Sequence, residues 1–221
     1  MAGLGHVRRG GAPLVERLSS TVTLSKISVG PMDNNTYLLR TVTGASVLVD
    51  AANDADSILQ LLGPSRKLDT IVTTHRHRDH WEALSEVQEA TAAALVCGRP
   101  DVDAVATGAW VENVTGVWDG DEVMLGEESL EVVGLVGHTP GSIALVYRSP
   151  DSGTHLFTGD SLFPGGPGKT GSSKDFTTLM QDLEQKIFVL GDDTIVYPGH
   201  GDNTSLGAER PHLTEWRERG W

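Results

Sequence analysis

The sequence predicts an α/β fold in which two β-sheets are sandwiched between helices. Three observations carry that expectation. Apolar runs of strand length are followed by helical patterns in both halves of the chain, an order that favours stacked sheets covered by helices. His75, His138, Asp160 and His200 each stand just past an apolar run, where a strand gives way to a loop. The chain has 221 residues, 38% hydrophobic and 21% charged, which is enough for a soluble globular domain with a substantial core.

Taken in order, Met1 to about Ala12 is rich in glycine, and residues 1–20 are expected to form a flexible tail ahead of a single domain over 21–221. Val22–Val29 and Thr36–Arg40 read as paired strands separated by the turn formers Gly30-Pro31 and Asp33-Asn34-Asn35. Ser46–Asp50 is a strand ending at a carboxylate. Asp54–Leu62 suits a helix, with Asp54 as N-cap and Gly63-Pro64 as the stop. Thr70–Thr74 is a buried strand, His80–Ala92 a helix, and Leu95–Cys97 a short strand. Strands follow at Glu122–Leu125, Leu130–Val136, Ser142–Arg148 and His155–Thr158. Phe176, Leu179, Met180, Leu183 and Ile187 share one face at helical spacing. Thr194–Tyr197 is a last strand, and Gly207–Arg219 a closing helix.

The formal charge of -13 argues against nucleic acid as a partner, because that binding needs lysine and arginine against phosphates. No apolar stretch approaches the roughly 20 residues of a membrane span. Arg8, Arg9 and Arg17 are not followed by the apolar centre of a secretory leader, so the cytoplasm is the expected location. The single cysteine, Cys97, cannot form an internal disulfide; it lies in an apolar run and reads as a core residue ahead of a reactive thiol.

The run His75-Arg76-His77-Arg78-Asp79-His80 carries most of the chemistry. In extended backbone, side chains two apart share a side, so His75 and His77 can reach one ion. Asp79 keeps that step and His80 breaks it, which implies a turn that sends Asp79 and His80 toward a second point. His138 can complete the first position, His200 the second, and Asp160 can bridge both. Imidazole and carboxylate ligands suit two divalent ions, zinc first, with iron and manganese also accepted.

The His-x-His-x-Asp-His run, followed in order by His138, Asp160 and His200, resembles the metallo-β-lactamase superfamily over roughly residues 20–210. The resemblance implies a four-layer αββα sandwich of two mixed sheets flanked by helices, with the metals at one edge. It implies His75, His77, His138 and Asp160 around one ion, and Asp79, His80, Asp160 and His200 around the other. Within the superfamily, Asp160-Ser161-Leu162-Phe163, Gly165-Gly166-Pro167-Gly168-Lys169 and Tyr197-Pro198-Gly199-His200-Gly201 are most similar to the short glyoxalase II (hydroxyacylglutathione hydrolase)-like group. There Lys169 would hold an anionic part of the substrate; its plainer reading is a solvated loop residue. Asp160 and the position of Cys97 distinguish the chain from β-lactamases with a zinc-bound cysteine.

The expected activity is therefore metal-dependent hydrolysis of a small-molecule thioester, with a hydroxide bridging the two ions as nucleophile and Asp79 holding that nucleophile in orientation. A lactonase would use the same dinuclear site. A persulfide dioxygenase would use the same fold with one iron, and phosphodiester hydrolysis fits the metals but not the acidic balance. A metal-binding protein without catalysis is the non-enzyme alternative. The chain departs from the long glyoxalase II pattern: 21 residues follow His200, Gly171 and Asp202 stand where tyrosines often touch substrate, and Trp81-Glu82 replaces a glycine-containing stretch. Trp81 reads equally as core packing or pocket wall. Formation of a homodimer is one way to finish the pocket.

Overall fold

Alternation along the strands sorts the buried side chains into three apolar layers, and these define the architecture. The computed structural model describes residues 4–220; Met1 to Gly3 of the expected tail and Trp221 lie outside the described residues. The first sheet contains β1 (Leu14–Arg17), β2 (Val22–Val29), β3 (Asn34–Thr41), β4 (Ser46–Val49), β5 (Thr70–Thr73), β6 (Ala94–Gly98) and β7 (Val114–Val117), adjacent in that order. β1 to β4 run antiparallel and β4 to β7 parallel. The second half supplies β8 (Glu122–Leu125), β9 (Glu128–Gly134), β10 (Ile143–Ser149) and β11 (Gly153–Gly159). A two-stranded hairpin follows, β12 (Leu162–Phe163) and β13 (Gly166–Pro167), and then β14 (Ile195–Pro198) and β15 (Thr204–Ser205). The second sheet is ordered β8-β9-β10-β11-β14-β15, with β11 and β14 parallel.

Val47 and Val49 of β4 face the second sheet, where they meet Leu130, Leu145, Phe157 and Tyr197. Leu48 between them faces the opposite way, onto α1 (Ala55–Leu62), α2 (Leu84–Thr91) and α3 (Val102–Ala109). In β10, Ile143, Leu145 and Tyr147 point between the sheets. Ala144 and Val146 point out toward α4 (Ser173–Asp182) and, past the short α5 (Leu206–Glu209), Trp216 of α6 (Leu213–Arg219). Both sheets are thus covered on each face, giving the expected αββα order. Each such aliphatic side chain contributes about 1.5–3 kcal/mol by leaving water. Among the described residues no helix is long and apolar enough to cross a membrane.

Several expectations need correction. The N-terminal tail is shorter than residues 1–20: Leu14–Arg17 pairs with β2, and Val7 and Leu18 are buried. The edge ladder of β2 supplies backbone partners that a four-residue segment could not find alone. The helix expected over His80–Ala92 is a 3-10 turn at Arg78–His80 followed by α2. It is interrupted because Glu82 and Ala83 give their N–H groups to Ala52 and Ala51 carbonyls. The closing helix is broken by a 3-10 turn at Arg210–His212, where Pro211 cannot donate. α3 and β7 had no counterpart in the sequence reading. Cys97 is a buried core residue whose thiol burial pushes up to about 12, and Trp81 packs in the core against Gly108.

Candidate metal centre

Parallel pairing brings strand ends to one edge of the sandwich. β4 and β5 end side by side at Asp50 and Thr74-His75, while β11 and β14 end at Asp160 and His200. The two sheets are stitched there: Ile143 N–H donates to the Thr74 carbonyl at 2.9 Å, and Asn35 N–H to the Gly199 carbonyl at 2.8 Å. Gly199 is obligatory at this edge, since a Cβ would fall 2.2 Å from Asp160 Oδ1.

The seven residues expected at the centre come together in adjoining groups. In the first, His75 Nε2 lies 3.0 Å from His77 Nδ1, His77 Nδ1 lies 2.9 Å from His138 Nε2, and the third side of the triangle is 3.2 Å. In the second, His80 Nε2 and His200 Nε2 are 3.1 Å apart. Asp79 Oδ2 lies 3.5 and 3.3 Å from them. Asp160 stands between the groups: Oδ2 is 3.5 Å from His138 Nε2 and 3.4 Å from His200 Nε2, and Oδ1 is 3.3 Å from His80 Nε2. The 3-10 turn at Arg78–His80 is the change of direction that the spacing of the motif implied.

The outer nitrogens fix which atoms face inward. His138 Nδ1 donates to the Lys169 carbonyl at 2.6 Å, and His200 Nδ1 to the Met32 carbonyl at 2.9 Å. Thr74 Oγ1 donates to Asp50 Oδ2, leaving it to accept from His75 Nδ1 at 3.1 Å. His80 Nδ1 donates to Asp50 Oδ2 at 2.8 Å. In the first group the neutral rings turn bare lone pairs toward one another, from His75 Nε2, His77 Nδ1 and His138 Nε2, which is repulsive unless a cation lies among them. Tetrahedral bonds of 2.0–2.1 Å put nitrogens roughly 3.3 Å apart, close to what is seen. Asp160 Oδ1 is buried without a hydrogen-bond partner, as expected of an oxygen that serves an ion. The donor set fits divalent metal.

Electrostatics divide the groups. Burial pushes His75 well below the usual imidazole value, and burial likewise lowers His77 and His138. Burial also opposes charge on His80 and His200. Asp50 and Asp160 outweigh it at His80, and Asp160 and Asp79 at His200, so both rise to about 10. Asp160 and Asp79 are buried against their own charge, yet the facing histidines hold both below the ordinary carboxylate range.

Three supporting residues were not assigned roles from the sequence. Asp50, in the left-handed region at φ 58°, accepts from Thr74 N–H, Thr74 Oγ1 and His80; a carboxylate ending a buried strand was its only signal. Asn34 Nδ2 donates to Asp79 Oδ2 at 2.9 Å. Asp101 joins the loops bearing His77 and His138. The part of Lys169 against the centre is its carbonyl; its side chain is exposed and has no ion-pair partner among the described residues. Asp202 pairs with His6.

Comparison with known proteins places these features in a family. Residues 29–200 match the metallo-beta-lactamase superfamily. Hydroxyacylglutathione hydrolase GloC of Haemophilus influenzae is 27% identical over 186 residues, covering 75% of this chain and 84% of that protein. Among solved structures, ETHE1 from Myxococcus xanthus superposes with a TM-score of 0.71 at 30% identity, covering 86% of this chain and 82% of its own. The B3 metallo-beta-lactamase BLEG-1 gives 0.72 at 26% identity, covering 87% and 99%.

Proposed function

From the premise that this chain belongs to the metallo-β-lactamase superfamily and is a metal-dependent hydrolase, we propose that it cleaves a small-molecule thioester at a two-ion centre, in the manner of glyoxalase II. The observation that carries this reading is Asp160, whose carboxylate lies within 3.5 Å of His138 and within 3.4 Å of His200. One side chain thereby serves both nitrogen groups.

In this reading His75, His77 and His138 would hold one ion, Asp79, His80 and His200 the other, and Asp160 would serve both. Two divalent ions held there, zinc foremost, would supply an acidified water near neutral pH and polarisation of an acyl carbonyl. Asp79, fastened by Asn34, accepts a hydrogen bond from the attacking water and so sets its direction. The Lys169 ammonium, exposed and free of ion pairs among the described residues, is available to an anionic portion of the substrate. Thiolate departs without prior protonation, so no general acid is required of the chain. The likeness to GloC supports a thioester. A lactonase would share every metal-binding residue, whereas a one-iron persulfide dioxygenase would leave Asp79, His80 and His200 unused.

The test is a rate panel with zinc-loaded protein on glutathione thioesters, other acyl thioesters, lactones, a β-lactam and a phosphodiester. Selective thioester turnover, absent from the metal-free protein, is expected. Turnover of lactone or β-lactam with none of thioester would overturn the substrate, and oxygen uptake by iron-loaded protein would overturn the reaction class.

A further inference from the structure

We propose that Asp101 is the positioning residue of the three-histidine half of the centre, setting the distance between the loop that carries His75 and His77 and the loop that carries His138. The inference rests on the metal-binding reading above. Asp101 is fully buried and belongs to neither loop. Its Oδ2 accepts from Arg76 N–H at 2.9 Å and from Thr139 Oγ1 at 2.6 Å, and its Oδ1 accepts from Gly141 N–H at 3.1 Å. Arg76 is the residue between His75 and His77, and Thr139 is the residue after His138. One carboxylate therefore bridges the end of a strand in the first sheet and a loop of the second.

The clamp is closed on its other side as well. The Arg76 carbonyl accepts from Trp81 Nε1 at 2.9 Å, so both polar groups of that backbone residue are held and the two histidines flanking it cannot swing independently. Gly141 lets Asp101 approach, because a Cβ there would lie 2.6 Å from the Asp101 carboxyl carbon. The carboxylate does not serve its own helix: Asp101 stands at the N-cap position of α3, yet its side chain makes no capping hydrogen bond. All three hydrogen-bond partners are donors, and Arg76 Nε lies 3.9 Å from Oδ1 as well, so an amide would set its NH2 against at least one donor and lose the ion pair. Residues that orient metal ligands in this way typically govern about 10–100-fold in metal affinity.

The experiment uses full-length metal-free protein titrated with Co(II), reading metal stoichiometry and the ligand-field spectrum, with thermal melting as the control for folding. Wild type is expected to take up two ions. Asp101→Asn is expected to lose affinity at the three-histidine position by about 10–100-fold, while one ion with the spectrum of a site of two histidines and two carboxylates remains. Thr139→Val, which keeps the side-chain shape but removes the hydroxyl that donates to Asp101 and also meets Ser142 Oγ at 2.7 Å, is expected to show the same selective loss at smaller size; with Ser142→Ala, expected to leave both positions unchanged, it decides the matter if Asp101→Asn does not fold. Two ions with unchanged spectrum and affinity in both variants would overturn the assignment, as would equal loss at both positions accompanied by a lowered melting temperature. Failure of wild type itself to bind Co(II) would instead overturn the metal-binding reading, and the inference with it.

Discussion

The two halves of the centre use the same ring chemistry in opposite electrostatic settings. His75, His77 and His138 are pressed toward neutrality by burial, and two of them are backed by a hydroxyl and a carbonyl. His80 and His200 face Asp79 and Asp160, and His80 is backed by the buried Asp50 carboxylate, so both keep protons readily. A cation in the first half would meet bare nitrogens, with Asp160 as the carboxylate nearest to balance its charge. A cation in the second half would compete with protons that the carboxylates already attract. The first half is held by geometry, with Asp101 accepting from both of its loops, and the second by charge.

The largest effect is expected where the halves meet. Asp160→Ala should lower thioester turnover on the order of 10³-fold or more and release metal from both halves, read by steady-state kinetics beside metal analysis. Retained activity in metal-free variant protein would dissolve the comparison altogether. Next, Asp50→Asn should weaken the His80 half about 10–100-fold and disturb the three-histidine half less, since Asp50 reaches His75 only through Thr74; Co(II) titration reads both. Loss from both halves alike would show that they do not separate.

A stability effect comes third, on the His200 side. Lys26 is fully buried, its ammonium donating to the carbonyls of Gly5 and Gly201 and to Asn203 Oδ1. Burial lowers it from 10.5 to about 8, against the pull of Asp202, Asp33 and Glu16. Between those values the unfolded chain binds the proton and the folded chain releases it, so folding stability rises with pH. Relative to Lys26→Met, metal-free wild type should gain about 1.4 kcal/mol per pH unit across that window, measured by urea unfolding from pH 7 to 10. A difference independent of pH would show that the buried ammonium is not displaced from its ordinary value. The smallest effect belongs to Lys169→Ala, which keeps the carbonyl that His138 uses. KM for anionic thioesters should rise a few-fold, roughly, with neutral substrates and metal content unchanged; an equal change for both substrate classes would remove the lysine from recognition.

The order of layers and the cluster of seven candidate site residues were both legible in the sequence. His75 and His77 share a side because extended backbone repeats every two residues, and the broken step at His80 announced the turn that the structure places at Arg78–His80. Strand alternation in segments such as Ser46–Val49 and Ile143–Ser149 recorded which faces are buried. Local periodicity is written in neighbouring residues, so it can be read from them. What tertiary structure decided depends on partners distant along the chain. Leu14–Arg17 becomes a strand because β2 offers it a ladder, and the His80–Ala92 helix breaks because Ala51 and Ala52 claim its N–H groups. Asp50 and Asp101 acquire their roles only once Thr74, His80, Thr139 and Gly141 are brought to them. A carboxylate states its charge in the sequence, but the donors that give it work are chosen by the fold.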